Sequence, residues 1–125
     1  EKKISHAELI SVHYASSAAS LIVTIPDPRK EHALGFTNLV EALALGQPII
    51  HTRTGALADE IDVAKAGCGL AVEPANPRQL ADAMETIMHE PDRAAEMGRA
   101  SRKLCETHYN MGRFSQELHL LFQSL

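Results

Sequence analysis

Three short apolar runs constrain this chain most: LIVTI at 21–25, PIIHT at 48–52 and the core of GCGLAVEP at 67–74. They are dense in aliphatic and β-branched residues and carry little polar alternation. That is how strands read when both faces are buried, as in parallel sheets. Helical patterns separate and follow them. Strands alternating with helices imply a parallel sheet with helices on both faces. Three strands make a small sheet, so the chain reads as a partial Rossmann-like, doubly wound α/β domain with extra C-terminal helices.

The helical signals are local. Ser5-His6-Ala7-Glu8 has the spacing of a capping box, with Ile4 and Leu9 as its hydrophobic staple, so a first helix is expected from residue 6 to about residue 16. A second runs from about Thr37 to Leu45 and stops at Gly46, a good residue just past a helix end. TGALADEID is expected to form a turn and a short helix. Asn76-Pro77 opens the next helix as cap and first-turn residue, with Leu80, Ala83, Met84, Ile87 and Met88 as its apolar stripe. Another starts near Pro91 with Met97, Ala100, Leu104 and Cys105 on one face. The last starts near Asn110 with Phe114, Leu118, Leu121, Phe122 and Leu125 on one face.

The totals exclude several function classes. The net charge of −4 and the lack of a basic run argue against nucleic acid. No apolar run approaches the roughly 20 residues of a membrane span, and EKKISHAE is neither a signal nor a transit peptide. Cys68 and Cys105 are far apart and fit a reducing, cytoplasmic compartment better than a disulfide. The seven histidines have no metal-binding spacing, so no metal is expected. Gly67-Cys68-Gly69 precedes a strand instead of following one, which rules out a dinucleotide fingerprint.

The chemistry is expected where open α/β sheets bind ligands, outside the carboxyl ends of the strands. Gly35, Phe36, Thr37 and Asn38 open a helix there, with backbone amides free for a phosphate. Glu41 lies one turn further along the same side. It is the one carboxylate in an apolar helix, and a buried carboxylate is costly without a partner. It could accept hydrogen bonds from the vicinal hydroxyls of a ribose. Equally, it could face solvent or pair with Arg53 or Lys65, and Thr37 could serve only as a helix cap. Arg53, Thr54 and Gly55, just past the second strand, would line the pocket. His51 reads either as a ligand contact or as a core histidine.

The run GFTNLVEALALGQPIIHTRTGALADEI, continued by GCGLAVEPANPRQLADAMETI, resembles the nucleotide-sugar half of GT-B glycosyltransferases of the glycosyl transferases group 1 family. Glu41-Ala42-Leu43-Ala44-Leu45-Gly46-Gln47-Pro48-Ile49-Ile50 is similar to that family's E-A-M-A-x-G-x-P-V-I. Gly69-Leu70-Ala71-Val72-Glu73-Pro74 with Asn76-Pro77 is similar to its G-x-L-V-x-P-x-D-P. The closing CETHYNMGRFSQELHLLF looks like its last helix. The resemblance implies that Glu41 grips the nucleotide ribose. The family's partner glutamate falls on Ala33 and is missing. Nearby His32 takes the place of the residue that contacts the transferred sugar, as in family branches with a His in this loop.

The resemblance implies a single domain over residues 1–125, the C-terminal part of a nucleotide-sugar-binding domain. The N-terminal acceptor domain and the first strands, with their basic pair for the diphosphate, are absent. The expected function is transfer of a hexosyl group from a UDP- or GDP-sugar to an acceptor, without metal or further cofactor. The partners are the nucleotide sugar and the rest of the enzyme, which could associate peripherally with a membrane. This chain alone is expected to lack turnover and to self-associate through its open sheet edge. The competing readings are a non-catalytic module that binds nucleotide or protein on the same fold, and a sugar-nucleotide epimerase or phosphorylase relative.

Overall fold

A computed structural model of the chain describes residues 3–24, 35–54 and 61–125. Strands β1 (Ser20–Ile22), β2 (Ile49–Thr52) and β3 (Gly69–Val72) form one sheet in the order β1-β2-β3. Both pairings are parallel, with Leu21 opposite Ile50 and His51 opposite Ala71. This is the partial Rossmann-like α/β arrangement expected from the three apolar runs. The expected short helix in TGALADEID lies largely outside the described residues.

Successive residues of β2 point to opposite faces of the sheet, and each face has its own core. Ile49 joins Ile22, Leu39, Ala42, Leu43, Val63 and Cys68 on one side. Ile50 joins Val72, Ala83, Ile87 and Met97 on the other. All four residues of β2 are buried, as a central strand requires. Helix α2 (Phe36–Ala44) covers the first face and packs on α4 (Pro91–His108). Arg102 of α4 donates through Nη1 to the Ala44 carbonyl and so closes the open end of α2. Helix α3 (Pro77–His89) covers the second face.

The caps fall where the sequence puts them. Asn76 Oδ1 accepts from the Gln79 amide at 3.0 Å, with Pro77 in the first turn. Asn110 Oδ1 accepts from the Arg113 amide at 2.9 Å and starts α5 (Met111–Gln123). Ser5 Oγ accepts from the Glu8 amide at 3.1 Å and starts α1 (His6–Glu8).

Three expectations are corrected. The first helix is α-helical only over α1; Leu9–Tyr14 continues it as a π-helix, and the intended staple residues Ile4 and Leu9 stay exposed. Strand β1 ends at Ile22 and is covered on one face only: Ile22 is buried, whereas Leu21 is 46% exposed. Helix α3 covers β2 and β3 but leaves that side of β1 open. The apolar stripe of α5 is not buried: Phe114, Leu121, Phe122 and Leu125 are all exposed. Among the described residues, β1 has β2 as its single sheet neighbour, and no helix is long and apolar enough to cross a membrane.

Candidate functional site

The carboxyl ends of β1 and β2 are tied together by hydroxyls. The Thr24 amide donates to Thr52 Oγ1 at 2.8 Å, and Thr52 Oγ1 donates to the Thr24 carbonyl at 3.0 Å. Thr24 Oγ1 lies 2.9 Å from Thr52 Oγ1 and 2.7 Å from Thr54 Oγ1. One proton assignment satisfies the whole set: Thr52 donates to the carbonyl, Thr24 to Thr52, and Thr54 to Thr24. The cluster holds the ends of β1 and β2 together past their last ladder pair. Thr54 was expected in the site. Thr24 was not, although a threonine at the end of an apolar run is a detectable signal. Arg53 is exposed and lies 3.7 Å from the equally exposed Glu73, an ion pair of little energetic weight.

The start of α2 is open. Gly35 occupies the cap position at φ +86°, a left-handed conformation that a side chain would strain, and among the described residues no side chain caps the helix. Leu39 is the first residue whose amide reaches back into the turn, to the Gly35 carbonyl at 2.9 Å. The amides of Phe36, Thr37 and Asn38 therefore have no intrahelical partner. Thr37 is not the cap; like Asn38 it is exposed, while Phe36 packs against the core with its side chain. These amides form the kind of helix start that favours an anion.

Glu41 follows in the next turn, with its side chain 22% exposed. It pairs with neither Arg53 nor Lys65. His6 Nε2 lies 2.8 Å from Glu41 Oε1, and the Tyr14 phenol is near enough to feel the charge of the same carboxylate. Burial first, and then the Glu41 charge, raise the Tyr14 pKa above its ordinary value, so the phenol remains a donor. The start of the chain thus reaches α2 and places His6 on its single carboxylate, with Tyr14 nearby.

His51 is a core residue at 3% exposure. Burial, the largest cause, pushes its imidazole below the usual histidine value, and Arg53 adds to the effect. Its Nε2 has no hydrogen-bond partner. His32 and Gly55 lie outside the described residues. Among the described residues, no three His, Cys, Asp or Glu side chains converge as a metal site.

Three parallel strands in one open sheet flanked by helices define a partial Rossmann-like α/β domain. The chain belongs to the glycosyl transferases group 1 family, whose sequence pattern matches residues 19–104. The match runs from just before β1 into α4 and takes in Glu41 and both threonine-bearing strand ends. The N-terminal segment with His6 and Tyr14 lies outside it, as does α5. No curated protein and no solved structure matches the chain.

Proposed function

We propose that this chain is the donor-binding segment of a GT-B glycosyltransferase that moves a hexosyl group from a UDP- or GDP-sugar to an acceptor. One observation carries the reading: a carboxylate stands one turn inside a helix whose cap residue, Gly35, has no side chain to offer its first amides. The amides of Phe36, Thr37 and Asn38 meet the diphosphate or the sugar, helped by the positive end of the helix. Glu41 accepts from the ribose hydroxyls. Arg53, Thr54 and Gly55 line the pocket, and His32 contacts the transferred sugar. Catalysis in such a site comes from positioning and from stabilising the charge on the departing diphosphate, with no metal required. The segment binds donor without turning it over, because the acceptor side belongs to the rest of the enzyme.

The test is a calorimetric titration with UDP, GDP and their 2′-deoxy analogues. A ribose grip on Glu41 requires the deoxy analogues to bind at least tenfold more weakly. Equal affinity for both would sink it. A second reading is favoured by the His6 contact: Glu41 could be only the anchor of the N-terminal segment in a non-catalytic module. In that case Glu41→Ala loosens the segment and leaves nucleotide affinity unchanged.

A further inference from the structure

The N-terminal segment is attached to the rest of the domain by polar contacts. None of its residues is buried in α1 or in the π-helix that follows. Its far end is held by Gln47, a residue 8% exposed, whose Nε2 donates to the Tyr14 carbonyl at 2.6 Å and to the Ser17 carbonyl at 3.4 Å. Its near end is held by His6 on Glu41. Glu41 and Gln47 bound one sequence run, EALALGQ, so a single short stretch of chain holds both ends of the segment.

The π-helix accounts for the convergence. In an α-helix, positions i and i+8 point about 80° apart around the axis. Here His6–Glu8 keeps the α-helical step and Leu9–Tyr14 takes the wider i→i+5 turn of a π-helix, which turns less per residue and so brings His6 and Tyr14 closer together around the axis. His6 touches the Glu41 carboxylate at 2.8 Å, and Tyr14 lies within range of its charge. Helices of this type recur at functional sites because they re-aim side chains.

An ionised carboxylate offers about four lone-pair positions. His6 occupies one; even with Tyr14 on a second, two acceptors remain for two vicinal hydroxyls. The rotamer freedom of Glu41 is already lost on folding and no longer opposes ligand binding. We propose that His6 and Tyr14 are positioning residues of the nucleotide site, holding Glu41 in the one orientation from which its free lone pairs accept a ribose diol. The inference rests on the ribose reading of Glu41 given above.

The experiment is titration of UDP and GDP into the wild-type protein and the variants Tyr14→Phe, His6→Ala, His6→Gln and Glu41→Ala. The His6 imidazole nitrogens and the Glu41 carboxyl carbon are followed by NMR. Tyr14→Phe keeps the ring and removes one hydroxyl, so it tests the contact without testing the fold. The expected result is about a fivefold loss of affinity in Tyr14→Phe and in His6→Ala, the size of one hydrogen bond. His6→Gln, which still carries an Nε2 donor, recovers most of it, and nucleotide shifts the His6 nitrogens in the wild type. If Glu41→Ala abolishes binding but Tyr14→Phe and His6→Ala bind like the wild type, the ribose reading stands and the positioning role is wrong. Tighter binding in His6→Ala would make His6 a competitor for the carboxylate and overturn the proposal. If the wild type and Glu41→Ala bind alike, or neither binds, the ribose reading fails and takes this inference with it.

Discussion

Gly69→Ala should break the sheet that carries the site, and the size of the effect follows from one contact. Gly69 opens β3 and stands opposite Ile49 of the central strand. A methyl group built on it would overlap the Ile49 backbone, its carbonyl oxygen first. No flexible side chain can yield there, because the obstruction is main chain on both sides. Strands pair at about 4.8 Å, and β3 would have to retreat by roughly an ångström, stretching the ladder. Overpacking of a core costs about 1–3 kcal/mol, and each weakened ladder bond adds about 1 kcal/mol. With two ladder bonds weakened the sum is about 3–5 kcal/mol, a large part of the 5–15 kcal/mol typical of a domain. For a chain of this size it lowers the melting temperature by more than about 10 °C. Thermal circular dichroism with a urea titration reads it directly. A variant that melts within about 3 °C of the wild type would refute the steric argument and the β2–β3 register beneath it.

The other predictions each rest on one observed environment. Leu43 is fully buried under the sheet, and Leu43→Ala should cost about 2–5 kcal/mol by urea denaturation; a loss below about 1 kcal/mol would mean that α2 is not packed there. His51 is held neutral by burial, with its pKa below the ordinary 6.5. The unfolded chain therefore binds the extra proton first, and the stabilisation is complete above about pH 6.5 and lost as pH falls towards the folded value. Urea midpoints at pH 7.5 and 5 should drop less in His51→Gln than in the wild type, and parallel drops would contradict this. Leu21 and Val23 are 46% and 53% exposed at the open edge of the sheet, so the chain should self-associate and Leu21→Lys should reduce it; a monodisperse wild-type monomer by light scattering at high concentration counts against that.

The legible parts of the fold were those decided locally. The strand at 49–52, the caps at Asn76 and Asn110 and the stop at Gly46 follow from a few adjacent residues, and all appear in place. The parallel order follows from the alternation of elements. Apolar pattern alone does not reveal what covers a surface. LIVTI and the stripe on α5 read as buried, yet Leu21 and Phe122 are exposed. The π-helix also left no trace, since HAELISVHY carries ordinary helical periodicity. The partner of Glu41 was invisible for a related reason. His6 is 35 positions away, and no spacing rule connects residues joined only by the way one segment of chain reaches another. The open start of α2 was legible because Gly35 and the apolar run after it mark a helix start, although the cap is Gly35 and not Thr37.

The central claim is that Glu41 and the start of α2 form a nucleotide site. Calorimetric titration of the wild-type protein and Glu41→Ala with UDP and GDP tests it most directly. The account predicts measurable binding of one nucleotide by the wild type and at least a tenfold loss in the variant, with both proteins equally well folded by circular dichroism. Equal affinity in the two proteins, or no binding by a folded wild type, would contradict it.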